Sequence, residues 1–407
     1  MPRLTARVAK VAATLLLPAS LLSATSLMAS PAHADGPGSG TPWMVTVGDS
    51  YVSGEAGRWA GNSNSSESLV DAGGSATYFD NATHTAETIN RCHRSTAAEA
   101  YLDGGVSGVN LACSGSMVTT TTSSDGYFKP GVDFYSSGGN QGQALMLQSF
   151  ATTHNVKAVT IGIGGNDFNF AAIVTQCVQN FLTSSSWFKD YCKDDSVVTS
   201  AMAAGNVAAV RARIATAFQN VRTAMRNAGY ADNAWTLIVQ NVPSPLATSS
   251  VYRYSESGYT RQSTGGCGFW NADADYAYNT ILPTINNAIS GAAADSGLTN
   301  IKTLNVSGAF AGRRLCESTV GLVEAQGLSS WRATGAVDKT EWVNQIRTVS
   351  TASGSYYIQE SLHPNYWGQL ALRNCLRQAY NAGAPRSGTC SHGTGLNANG
   401  EPVMTLS

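Results

Sequence analysis

Charge is scarce in this chain: Asp, Glu, Lys and Arg together make up 13% of the residues, and the formal net charge is −1. That balance gives no electrostatic case for nucleic acid or an anionic membrane as partner. Metal-ligand patterns are missing too. There is no H-E-x-x-H, no C-x-x-C pair and no run of Asp and His at ligand spacing, and the six histidines are scattered, so no metal or other cofactor is expected. Gly162, Gly164 and Gly165 make a glycine-rich stretch, but it lacks the lysine of a phosphate cradle. Internal repeats are absent. Past the N-terminus there is no hydrophobic run approaching the about twenty residues of a membrane span.

What is present begins with an export signal. Arg3, Arg7 and Lys10 precede an apolar segment from Val11 to about Met28, and Ala32-His33-Ala34 closes it in a small-x-small form. Pro18, Ser20, Ser23, Thr25 and Ser26 break up that segment, which disfavours an anchor. Residues 1–34 are expected to be a signal peptide and 35–407 a single secreted, extracellular, monomeric domain. The eight cysteines, Cys92, Cys113, Cys177, Cys192, Cys267, Cys316, Cys375 and Cys390, all follow the signal. An even count in an exported chain points to disulfides. Of the 105 pairings open to eight cysteines, the nearest-neighbour one is preferred, because each bridge then closes a local loop: 92 with 113, 177 with 192, 267 with 316, 375 with 390.

The hydrophobic content of 43% suffices for one large core. Short apolar runs at Met44–Val47, Val109–Ala112, Ala158–Ile163, Thr236–Gln240 and Ile301–Asn305 alternate with segments of helical periodicity at Gln143–Thr152, Met202–Asn227, Asp273–Ala293 and Tyr366–Ala382. Continuous apolar strands alternating with helices predict a three-layer α/β/α sandwich around a central, mostly parallel five-stranded sheet. Stretches rich in Gly, Ser, Thr and Asn, such as 61–68 and 119–131, are expected to be long surface loops.

The strand ends carry the chemistry. The first apolar run leads into Gly48-Asp49-Ser50-Tyr51, the second into Cys113-Ser114-Gly115-Ser116 and the third into Gly164-Gly165-Asn166-Asp167; a late Ser361-Leu362-His363-Pro364-Asn365 precedes the last helical segment. A serine on a strand-to-helix turn exposes its hydroxyl and leaves its own N–H free for a developing oxyanion. Taken together and in this order, the four blocks resemble the SGNH, or GDSL-type, hydrolase superfamily, and within it secreted bacterial lipases and phospholipases.

The resemblance implies that Ser50 is the nucleophile and His363 the general base and acid. It assigns the oxyanion hole to the N–H groups of Ser50 and Gly115 and the side-chain amide of Asn166. Glu360 stands three residues before the histidine, where the family places its acid, and is expected to orient the imidazole; a backbone carbonyl there, as in some secreted lipases, is the alternative. Asp49 and Asp167 are expected to brace their turns. The expected substrate is a carboxylic ester of a lipid, cleaved by a phospholipase A/B, lysophospholipase or lipase, with transient contact at a lipid interface. Acetylated polysaccharide is the competing substrate, and a non-catalytic secreted binding module the competing class. Tyr127, Phe128, Phe134, Tyr135, Trp187, Phe188 and Trp331 are candidates to line an acyl groove or meet a lipid surface, or simply to roof the core.

Overall fold

In a computed structural model, residues 36–348 and 358–407 are described. The proposed signal segment lies outside them. Seven strands form the central sheet: β1 (Pro42–Gly48), β2 (Ser107–Asn110), β3 (Asn155–Gly162), β4 (Thr236–Gln240), β5 (Ile301–Asn305), β6 (Gly388–Leu396) and β7 (Pro402–Leu406), in the order β7-β6-β5-β4-β3-β1-β2. All neighbours are parallel except β6 and β7. The five anticipated strands are therefore joined by a C-terminal pair. Those two were missed because Gly388-Thr-Cys-Ser-His-Gly-Thr-Gly-Leu396 shows no apolar alternation. The Cys375–Cys390 disulfide and an ion pair between Arg377 and Glu401 hold this hairpin to the last helix.

Every residue of β1 from Met44 to Gly48 is buried, as its continuous apolar run requires of a strand covered on both faces. The chain passes from β1 to β2 on one side and then turns back through β3, β4 and β5. With right-handed crossovers this reversal puts the connections on opposite faces. The helices α2 (Gln143–Ala151), α4 (Ala204–Asn227) and α5 (Leu282–Asp295) pack side by side, while α6 (Tyr366–Tyr380) packs against β5, β6 and β7. On α4, Val210, Ile214, Ala217, Phe218, Val221 and Met225 are buried along one stripe, each larger side chain contributing about 1.5–3 kcal/mol.

Two departures from expectation shape the site. A helix absent from the sequence-based expectation, α3 (Phe170–Thr183), follows the Asn166 block and buries Ile173, Cys177, Val178 and Phe181. The long helix expected at 273–293 is instead Asn271–Tyr276, a five-residue π-helical segment Ala277–Ile281, and α5. Pro283 explains the widening: it has no N–H to offer the carbonyl of Asn279, so the ladder loses a bond just before α5.

Four disulfides join Cys92–Cys113, Cys177–Cys192, Cys267–Cys316 and Cys375–Cys390. Replacing both Cys375 and Cys390 by Ala reopens a loop of 15 residues. Equilibrium urea unfolding is expected to show a loss of about 3 kcal/mol, with β6 and β7 the first backbone amides to lose protection from hydrogen exchange.

Candidate active site

The sheet reverses its strand order between β1 and β3, and it is outside the carboxyl ends of such strands that open α/β sheets leave a crevice. Gly48 ends β1 with φ +137°, and a Cβ there would stand 2.0 Å from the carbonyl oxygen of Gly162 at the end of β3. Only glycine lets the two backbones approach so closely. The Asp49 N–H donates to that same Gly162 oxygen at 2.9 Å, and the chain turns into the single-turn helix α1 (Ser50–Ser53).

Asp49 caps α1. Its carboxylate accepts the Tyr51 N–H at 3.1 Å, so it braces the turn in the manner expected and does not reach toward the histidine. Burial pushes its carboxyl up to about 7, against the Tyr51 hydrogen bond and with help from the nearby Asp167 charge. Asp167 braces the neighbouring turn, accepting the Val118 N–H at 3.1 Å and pairing with Arg213 at 3.3 Å.

Ser50 Oγ stands 2.7 Å from His363 Nε2. On the other side of the ring, Nδ1 faces the carbonyl oxygen of Ser361 at 3.0 Å. The structure thus brings a backbone carbonyl, the alternative to Glu360, to the orienting position. Glu360 has its carboxylate elsewhere: it is buried and accepts from Trp59 Nε1 at 2.8 Å and from the Tyr78 hydroxyl. A glutamate on the 3₁₀ turn Ile358–Glu360 points into the pocket of Trp59 and Tyr78, which correct the expected role by claiming its two oxygens.

The segment around His363 is held firmly. Leu362 is buried at φ +61°, unusual for a residue with a branched side chain. Its carbonyl accepts the Tyr51 hydroxyl at 2.9 Å, its N–H donates to Asn344, and the His363 carbonyl accepts the Asn344 N–H at 2.9 Å. The N-cap of α6 is Asn365, whose side chain accepts from the Trp367 and Gly368 amides, so His363 has no capping duty. Burial pushes its imidazole below the ordinary histidine range, while the Glu55 charge and the Ser361 carbonyl oppose the shift. A neutral imidazole at neutral pH is the form that accepts a proton.

The anticipated oxyanion groups gather at the same place. Ser50, Gly115 and Asn166 all line one cavity with His363, and the amides of Ser50 and Gly115 have no acceptor among the described residues. Gly115 sits at φ +78°. The Asn166 amide gives one proton to the Ser116 carbonyl at 2.9 Å, which fixes its plane and leaves the second proton for another acceptor.

The cavity has a volume of about 620 Å³. Its wall is mostly apolar and includes Val174, Val178 and Leu182 from α3, Ile281 and Ile285 from the π segment and α5, Leu246, and the rings of Phe170, Phe269 and Tyr278. The two elements that sequence reasoning missed or misjudged therefore build the wall. For α3 the signal was available, since Phe170, Ile173, Val174, Cys177, Val178 and Phe181 recur at helical spacing. None of the seven aromatics proposed as groove residues lines it, and Trp187 and Phe188 are 88% and 85% exposed.

No family model matches the sequence, and no curated protein matches it. Among solved structures, the chain is similar to the phospholipase A1 of Streptomyces albidoflavus NA297 over 84% of its length and 99% of that enzyme's, at 19% identity and a TM-score of 0.46. It is also similar to the extracellular lipase of Streptomyces rimosus, over 84% of this chain and 100% of that one, at 20% identity and a TM-score of 0.41.

Because Nδ1 is held by main chain, Glu360→Gln is expected to keep kcat within about tenfold of wild type per folded molecule. Its cost should appear as lower thermal stability, since Trp59 and Tyr78 both donate to the carboxylate. A loss of several powers of ten in kcat at full folding, of the kind caused by removing the acid of a triad, contradicts the backbone assignment.

Proposed function

We propose that this protein is a carboxylic-ester hydrolase acting on long-chain acyl esters of lipids. The observation that carries the reading is a Ser50–His363 pair at 2.7 Å opening onto a cavity of about 620 Å³ whose lining is mostly apolar. An acyl chain gains by leaving water for such a wall, about 0.8 kcal/mol per buried CH₂. An acetyl group has almost no chain to bury and gains little from such a wall. The same argument stands against a binding module, for which a serine poised on a neutral imidazole has no use.

In the reaction, the Nδ1–H of His363 donates to the Ser361 carbonyl and so leaves the Nε2 lone pair facing the Ser50 hydroxyl. Ser50 Oγ attacks the ester carbonyl as its proton passes to Nε2. The developing oxyanion is met by the N–H groups of Ser50 and Gly115 and the free proton of the Asn166 amide. Collapse expels the alcohol, which takes the proton from His363. Water, deprotonated by the same nitrogen, then releases the fatty acid and restores the serine.

Ser50→Ala is expected to lower ester hydrolysis by several powers of ten without loss of stability, since no cavity opens. With phosphatidylcholine as substrate, mass spectrometry should find free fatty acid and deacylated phospholipid. Phosphocholine as first product overturns the reaction class. Turnover of acetylated xylan with none of any long-chain ester transfers the reading to polysaccharide.

A further inference from the structure

A base that works without an acid at Nδ1 must still carry a positive charge in the transition state. Glu55 lies behind it, one turn after the nucleophile and fully buried. Its main chain is tied to both sides of the site: its N–H donates to the Ser50 carbonyl at 3.3 Å, and its carbonyl accepts from Gln369 Nε2, which also donates to the carbonyl of Pro364 next to His363. Its side chain is tied as well. Oε2 accepts from Gln359 Nε2 at 2.8 Å, and the same amide group reaches Ser114 Oγ at 2.8 Å, beside Gly115, and the Arg91 carbonyl at 3.1 Å. Gln359 begins the stretch that leads through Ser361 to His363. Glu55 thus touches the nucleophile turn through its backbone, the histidine loop through its carboxylate, and the oxyanion loop through the Gln359 amide.

From these contacts we infer that Glu55 is a positioning residue for His363: its buried negative charge stabilises the imidazolium in place of the carboxylate that Nδ1 lacks. The inference rests on the esterase reading above. The charges around Glu55 set its strength. His93 Nδ1 lies 2.6 Å from Glu55 Oε1, and His93 Nε2 lies 3.4 Å from Glu87. The Tyr78 ring stacks on His93 at 4.3 Å and sends its hydroxyl to Glu360. Lys129 is buried close by, donating to the Arg91 carbonyl.

Burial alone pushes the Glu55 carboxyl up, but the charge and hydrogen bond of His93 prevail and hold it down at about 2. Burial likewise pushes His93 down, and Glu55, with Glu87, reverses this and raises it. His93 thus stands between two carboxyl groups, Glu55 on Nδ1 and Glu87 on Nε2, and burial pushes the Glu87 carboxyl up. Glu55 favours a charged His363, and His93 opposes it.

A variant that keeps the carboxylate, Glu55→Asp, separates this charge effect from a purely structural role. The test titrates the His363 ring by NMR in Ser50→Ala protein, which requires no ester turnover, so failure of the lipid-esterase reading leaves it intact. Glu55→Gln is expected to lower the His363 pKa by on the order of one unit, as loss of a neighbouring opposite charge in a buried site does, and Glu55→Asp, which keeps the charge, to restore most of it. In the active protein, with a soluble short-chain p-nitrophenyl ester, Glu55→Gln should move the acid limb of kcat/KM to lower pH. It should also lower plateau kcat by about tenfold, the equivalent of one pKa unit, at unchanged KM. If Glu55→Gln does not fold, the side-chain carboxyl carbon of Glu55, followed by NMR in the Ser50→Ala protein, decides: it should shift as His363 titrates, and no shift overturns the inference. A His363 titration unmoved by Glu55→Gln, or lowered as much by Glu55→Asp as by Glu55→Gln, overturns the inference.

Discussion

The close approach of two glycines, Gly48 at the end of β1 and Gly162 at the end of β3, is the constraint on which the rest of the site depends. With no Cβ on Gly48, the first strand ends against its neighbour's carbonyl and the chain must turn at once. The turn is capped by Asp49, exposes Ser50 Oγ to His363, and leaves the Ser50 amide without an acceptor among the described residues. The strand order places this turn where the sheet reverses, so the Asn166 block leaves the next strand at the same crevice. Catalytic geometry here follows from backbone packing, and the side chains elaborate it.

A chain so poor in charge spends its buried charges in few places. Most of the ion pairs are peripheral and contribute little, as exposed pairs generally do. One buried group lies behind the histidine, Glu55 and Glu360 with His93 and the half-buried Glu87, all held by named donors, while Arg314–Glu317 and the Glu341 pair are buried elsewhere. Burying carboxylates is costly unless they are paired and hydrogen-bonded. That expense is easiest to understand where a reaction creates a transient cation. The loop before α6 carries the complementary device, a strained Leu362 pinned through the Tyr51 hydroxyl, which keeps the Ser361 carbonyl on Nδ1.

Much of the fold was legible because its signals are local. β1, β3 and β4 are apolar runs, β2 and β5 carry shorter apolar cores, and α4 and α6 carry 3.6-residue periodicity, so β1 to β5 and most helices lie near their expected bounds. The C-terminal hairpin was not legible, since Gly388–Leu396 depends on a disulfide and an ion pair to the last helix rather than on its own pattern. The π segment was hidden in an unbroken helical periodicity, and only Pro283 hints at it. Ser50, Gly115, Asn166 and His363 are legible as blocks at strand ends. The job of Glu360 is not, because sequence position says that an acid is near the histidine and cannot say which way it points. Glu55 escaped notice for the reverse reason: no motif includes it, and its part arises from contacts with residues 38 and 304 positions away.

The central claim, that Ser50 is a nucleophile activated by His363 alone among the side chains that touch it, can be tested without choosing a substrate. A fluorophosphonate probe reacts with an activated serine, and the labelled peptide can be mapped by mass spectrometry. The account predicts one adduct per molecule, on Ser50, lost in His363→Ala and retained in Glu360→Gln. Absence of labelling, or labelling at another residue of the folded protein, would contradict it.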